Sequence, residues 1–231
     1  GSRMRKCLLR LGFFLLSGSV FLQPAGPGQK IKITASVFPL LEFAKAVAGE
    51  RGEVRLLLPP GAGVHTWQPR AGDITRLASA DLFIYMGAGL EPWIDGVLRS
   101  LSSRSLRTFA VKESLTLKED EARSTLEEDP HVWLDFALDK MIVDRIAENL
   151  SQIDPAQASF FQNNAAIYKK RLAELDEKFS KGLKSCRHRS FLLGGHAAFG
   201  YLARRYGLEQ VSLYGLSPDE APTPSRMMSL I

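Results

Sequence analysis

Residues 82–86 read LFIYM, five apolar residues in succession. A run this short, with no polar alternation, fits a strand buried on both faces of a parallel sheet. On its N-terminal side, Pro69 or Ala71 opens a helix through Ser79, with Ile74 and Leu77 facing inward. Before that helix, Val54–Leu58 reads as a strand stopped by Pro59-Pro60-Gly61. Further back, Leu40, Leu41, Phe43, Ala44 and Val47 recur near the 3.6 period and predict a helix over Pro39–Ala48, ended by Gly49 and Gly52. A β-branched run, Ile31–Ala35, precedes it. On the C-terminal side, a helix is predicted over Pro92–Ser100 and a strand over Arg107–Val111. The order βαβαβαβ predicts a doubly wound α/β lobe.

Beyond this lobe, Glu113–Asp129 is acidic and poor in apolar residues, which predicts an exposed, mobile loop. Leu138–Ile153 is amphipathic, with Met141, Ile142, Ile146 and Leu150 on one face. Pro155 opens a helix that runs to Leu183, about 40 Å at 1.5 Å per residue, long enough to bridge two lobes. Ser190–Leu193, Ala197–Tyr206 and Leu208–Leu213 then read as strand, helix and strand, with Gly207 at the helix end. Two strands and one full helix do not complete a doubly wound sheet. The expected architecture is therefore two α/β lobes joined by a long rigid helix, the second lobe incomplete and the chain truncated at its C-terminus. The expected divisions are 1–29 as a signal peptide, 30–154 as the first lobe, 155–185 as the joining helix and 186–231 as a partial second lobe.

The chain has 231 residues and a hydrophobic content of 45%, enough for a substantial core. Its formal charge of +5 comes from the amino end, where Arg3, Arg5, Lys6, Arg10 and Lys30 face no acid. Without those five, 25 basic residues balance 25 acidic ones, so the surplus is no nucleic-acid footprint. Arg5, Lys6 and Arg10 precede the apolar stretch Leu11–Leu22, and LQPAGPGQ follows it. The stretch is short for a membrane span and suits a signal h-region cleaved between Ala25 and Gln29. A buried helix at the start of the fold is the alternative. Cys7 precedes the apolar stretch and no Cys follows it closely, so no lipid anchor is expected. After cleavage Cys186 alone remains and makes no intrachain disulfide.

Four histidines occur, and three share one setting. His65 lies in the loop PPGAGVHTWQP after a strand, His131 in DPHVWLD before a helix, and His196 in LLGGHAAF directly after a strand. In an α/β sheet these places fall at the carboxyl ends of strands, where ligands bind. Three neutral imidazoles completed by a carboxylate or water make a tetrahedral site suited to Zn²⁺. His188, among Cys186, Arg187 and Arg189, reads as a solvated loop residue. Trp67 and Trp133, each two residues after a candidate ligand, either wall the site or pack in the core. Asp129 or Asp135 fixes an imidazole tautomer, or caps a helix as Asp135 is placed to do.

The segments from Gly61 to Asp95, DPHVWLD, and GGHAAFGYLARRYGLEQV resemble the metal-receptor family of zinc and manganese ABC importers, ZnuA-like or TroA-like. The resemblance runs from about Ile31 to the end. It implies two α/β lobes joined by one long helix, with His65 and His131 supplied by the first and His196 by the second. It also implies capture of Zn²⁺, or of Mn²⁺, in the periplasm and delivery to an ABC permease in the inner membrane, without enzymatic activity. Manganese-type relatives tend to carry Glu at the third position, and His196 there favours zinc. Family members have a fourth, acidic ligand far into the second lobe, a region expected to lie beyond the truncation. Zinc members often carry a His-rich loop before the second motif; residues 113–129 hold no His. Two rival functions stand beside this one. A zinc hydrolase would use Glu91 or Asp129 as general base, but no motif such as HExxH supports it. A surface adhesin of the same family would be expected to carry the anchoring Cys.

Overall fold

The apolar run forms β3 (Leu82–Tyr85), an inner strand of a four-stranded, all-parallel sheet. The computed structural model describes residues 28–101, 105–115, 129–216 and 227–228. Sheet order is β2-β1-β3-β4, with β1 at Ile31–Ala35, β2 at Gly52–Leu56 and β4 at Arg107–Ala110. Ile33 pairs with Val54 on one side and with Leu82 on the other. Strand periodicity sends Ile31, Ile33, Ala35, Leu82 and Ile84 into one apolar layer and Phe83 into the opposite one. Helices α2 (Ala71–Ala78) and α3 (Ile94–Leu101) cover the second layer through Leu77, Val97 and Leu101.

The first layer is the larger. Helix α1 (Phe38–Ala48) buries Leu40, Phe43, Ala44 and Val47 there. After a four-residue helix, α4 (Val111–Ser114), helix α5 (Phe136–Ile153) adds Ile142, Ile146 and Leu150 to the same layer. Its N-terminus is capped by Asp135, whose carboxylate accepts from Ala137 N–H at 2.7 Å. A 3₁₀ turn at Pro155–Gln157 leads into α6 (Ala158–Lys184), 27 residues and about 40 Å long. This helix buries Phe161, Ala165 and Leu172. Gly49, at φ 51°, lets it come close: a Cβ there would lie 3.0 Å from the Phe160 ring.

Past α6, β5 (Ser190–Leu193) and β6 (Glu209–Ser212) form a second, two-stranded parallel sheet joined through α7 (Gly200–Arg205). Gly207 closes α7 at φ 62°, as the sequence implied. Several boundaries differ from expectation: α3 begins at Ile94 rather than Pro92, α5 at Phe136 rather than Leu138, α6 at Ala158 after the 3₁₀ turn rather than at Pro155, and β6 is Glu209–Ser212 rather than Leu208–Leu213. β2 starts and ends two residues earlier than Val54–Leu58; Val54 and Leu56 pack on the first layer and Leu57, whose N–H still bonds the Ala35 carbonyl at 2.8 Å, alternates into the second. Val111 leaves β4 for α4 and is buried in the first layer. α7 begins at Gly200 rather than Ala197, the preceding residues being held by backbone bonds such as Ala197 N–H to the Gly215 carbonyl at 2.7 Å. Residues 1–27 of the expected signal segment and residues 116–128 of the acidic loop lie outside the described residues; the described ends of that loop differ from expectation, Glu113 and Ser114 being helical and Leu115 and Asp129 buried. Among the described residues no helix is long and apolar enough to cross a membrane.

Asp139, on the buried face of α5, is 2% exposed, and its Oδ1 has no hydrogen-bond partner among the described residues. Burial pushes its carboxyl up to about 9; the neighbouring charge of Asp135 adds to the rise and Arg205 opposes it. A folded-state value above the unfolded one favours the protonated fold. Its contribution is complete below the ordinary carboxylate range and is lost as pH rises toward 9. Thermal melts of Asp139→Asn between about pH 5 and pH 9 should therefore show a flatter decline than the parent chain. The variant should gain about 1–3 kcal/mol relative to the parent at the alkaline end.

Candidate metal centre

The three histidines that the sequence singled out come together. One candidate ligand atom from each of His65, His131 and His196 lies within 4.8 Å of the other two. The Nε2 atoms of His131 and His196 are 3.3 Å apart. Ring centroids are separated by 5.8 Å for His65–His131, 5.4 Å for His65–His196 and 5.2 Å for His131–His196. A tetrahedral Zn²⁺ with Zn–N bonds of about 2.0–2.1 Å spaces its nitrogens about 3.3 Å apart. One pair already stands at that spacing, and the His65 ligand atom lies within 4.8 Å of those of the other two. His188 is exposed and lies outside the group.

Each histidine is placed by a different element. His65 sits in the irregular segment between β2 and α2, where Trp67 N–H bonds the Gly63 carbonyl at 2.9 Å and closes a turn around it. His131 opens a 3₁₀ turn, Val132–Leu134, that leads into α5. His196 follows β5, and its loop is held by Tyr214 N–H to the Gly195 carbonyl and by Phe199 N–H to Gln210 Oε1, at 3.3 and 2.7 Å. His131 is buried, whereas His65 and His196 are half-buried.

Asp129 is the partner of His131. Its Oδ1 lies 2.6 Å from Nδ1 and 2.9 Å from the backbone nitrogen of the same residue. Both Asp129 and His131 are almost wholly buried. A carboxylate at Nδ1 holds the proton there and turns the Nε2 lone pair toward the other imidazoles. Burial lowers the pKa of His196, the nearby His131 lowers it further, and Asp129 works against them. Neutral imidazoles are the form that coordinates a metal.

Of the two aspartates read as fixing a tautomer, Asp129 is the one beside an imidazole nitrogen, and Asp135 caps α5. Of the two tryptophans, Trp133 meets the His131 ring edge-on at 5.2 Å. Trp67 packs instead against Trp93 in the second apolar layer, at 5.6 Å. Glu91 is buried and accepts from the Ser36 hydroxyl at 2.5 Å, from Met86 N–H at 2.9 Å and from Gly87 N–H at 3.0 Å. It ties the carboxyl end of β3 to the residue after β1.

With the site in view, comparison with known proteins is decisive. The family model described as "Zinc-uptake complex component A periplasmic" (ZnuA) matches residues 33–231. The chain belongs to the ZnuA family. It is 34% identical to the zinc-binding protein AdcA of Streptococcus pyogenes, over 87% of this chain and 43% of that protein. It is 30% identical to the high-affinity zinc uptake system protein ZnuA of Bacillus subtilis, over 88% of this chain and 67% of that protein. The crystal structure of the Zn(II)-bound ZnuA-like domain of Streptococcus pneumoniae AdcA superposes with a TM-score of 0.73 at 35% identity, covering 87% of this chain and 73% of that one. The chain thus spans less than half the length of the AdcA relatives it matches.

One group around the centre escaped the sequence reading. Lys112 of α4 is buried, donates to the Asp129 carbonyl at 3.2 Å and also bonds the Tyr201 hydroxyl. An isolated lysine in KES carries no signal of this in the sequence. Replacing Asp129 by Asn should free the His131 ring. Long-range ¹H–¹⁵N NMR of the metal-free protein should find His131 as a single Nδ1–H tautomer in the parent and as a mixture in Asp129→Asn. An unchanged tautomer would remove Asp129 from that role.

Proposed function

We propose that this chain captures one Zn²⁺ ion with the imidazoles of His65, His131 and His196 and delivers it to an ABC permease in the inner membrane. The observation that carries the reading is the convergence of three imidazoles from three separate segments, two of them already at tetrahedral spacing. A water or a carboxylate completes the four-coordinate shell. Three nitrogen donors favour Zn²⁺ over Mn²⁺, since affinity for nitrogen-rich sites rises from manganese toward zinc. The zinc-binding relatives support the same choice. A periplasmic location is supported by the family description and by the basic, then apolar, amino end. Residues 30–154 and 186–231 act in this reading as two lobes bridged by 155–185, with the ion between them.

A binding role is favoured over hydrolysis by the state of the two candidate bases. Glu91 is taken up by Ser36 and two backbone N–H groups, and Asp129 Oδ1 by two N–H groups of His131. Glu91 accepts in three structural bonds, whereas Asp129 engages Oδ1 alone and its buried Oδ2 has no hydrogen-bond partner among the described residues, so Glu91 is the less available base of the two.

Isothermal titration should give one Zn²⁺ per chain at about pH 7.5 and weaker binding at about pH 5.5, where protons compete for imidazole nitrogen. His131→Ala should weaken binding by about 100-fold or more, the cost of a ligand exceeding that of its supporting partner. Mn²⁺ should compete poorly. A folded parent chain that takes up no Zn²⁺ at the higher pH would overturn the proposal.

A further inference from the structure

The small β5/β6 sheet carries His196, so whatever fixes that sheet against the rest of the protein sets the geometry of the centre. Apolar packing does this incompletely. Between the sheet and α6 lies an apolar cleft of about 610 Å³, lined by Phe136, Phe179, Leu183, Phe191, Phe199 and Leu202 among others. A cleft of this size forfeits the close contacts that lock an interface.

Polar contacts from one helix cross the gap instead. In α7, Tyr201 and Arg205 stand four residues apart and therefore share a face. Tyr201 is 3% exposed and is counted within the first apolar layer, and its hydroxyl meets Lys112, whose ammonium also lies 4.9 Å from the Tyr201 ring centre. Lys112 in turn bonds the carbonyl of Asp129, the residue that orients His131. Arg205 donates to Asp135 at 2.8 Å through one terminal nitrogen and to Asp176 of α6 through Nε at 2.9 Å and its other terminal nitrogen. Tyr206 adds a hydroxyl bond to Asp176 at 2.9 Å. Asp135 is four residues from His131, and Tyr201 is five from His196. Both ends of the clamp therefore reach the loops that carry ligands.

We infer that Tyr201 and Arg205 are positioning residues that hold His196 in register with His131 through Lys112–Asp129 and Asp135–Asp176, and thereby set the metal affinity. The guanidinium fork matters because two carboxylates, one capping α5 and one on α6, are bridged at once, which a point charge does not reproduce. This inference rests on the zinc-binding reading above, and the test separates the two.

The variants are Tyr201→Phe, which keeps the ring and removes the hydroxyl, and Arg205→Lys, which keeps the charge and removes the fork. Lys169→Ala is the control, because Lys169 pairs with Asp144 away from α7. Zn²⁺ affinity is read by chelator competition, and the ligand geometry by the visible absorption of the Co²⁺-loaded protein. Both variants should bind Zn²⁺ about tenfold or more weakly, the size expected when support for a ligand is lost. Both should also change the intensity of the tetrahedral Co²⁺ band, while the control matches the parent. Should Arg205→Lys not fold, Tyr201→Phe alone carries the test. A parent that binds Zn²⁺ together with variants that lose only thermal stability, with parental affinity and Co²⁺ spectrum, would overturn the clamp. A parent that binds no Zn²⁺ would overturn the functional reading instead.

Discussion

The bond between Asp129 and the Nδ1 of His131 is the contact from which the centre is organised. An imidazole free to flip presents either nitrogen, and a cluster of three such rings has many arrangements of which few bind an ion. Burying His131 against one carboxylate oxygen removes that freedom at the most enclosed position. The same aspartate uses its backbone carbonyl to receive Lys112, so its own place is fixed from a second element. The other two histidines then have a stationary reference, and the half-buried His65 and His196 complete the site from its more open side.

The sheet makes this arrangement possible. Parallel strands send all their carboxyl ends to one edge, and the order β2-β1-β3-β4 opens a crevice where the connections diverge from β1. Glu91 closes the β1–β3 end of that edge with three hydrogen bonds, leaving the loop after β2 and the segment after β4 to supply His65 and His131. His196 must come from elsewhere, and a helix of about 40 Å delivers the second sheet that bears it.

Much of this was legible in the sequence because the relevant signals are local. LFIYM, IKITA and the periodic faces of α1 and α5 each declare their state through apolar spacing alone. The three histidines set apart by their local sequence, the fourth lying among basic residues, are the ones whose candidate ligand atoms the fold brings within 4.8 Å of one another. What stayed hidden depends on contacts between distant segments. Lys112 and Tyr201 are 89 residues apart in sequence, and Arg205 meets Asp135 across 70. Asp139 stands three residues before Ile142 on the apolar face of α5, but spacing alone does not show that its Oδ1 lacks a hydrogen-bond partner among the described residues. Trp67 and Trp133 have the same offset from a histidine, yet one packs on the second layer and the other on the site. Sequence offset does not distinguish the two faces of a sheet that are both apolar.

The parallel connectivity also bears on how the chain reaches its native state. Ile33 finds its partners Val54 and Leu82 about 20 and about 50 residues further along, and among the described residues no two neighbouring strands are joined by a hairpin. Every strand pair must wait for an intervening helix and close a long loop before any ladder rewards it. Such topologies fold slowly compared with helical bundles of similar size. The architecture that gathers three histidines at one edge therefore also keeps the chain open for longer before its distant segments meet.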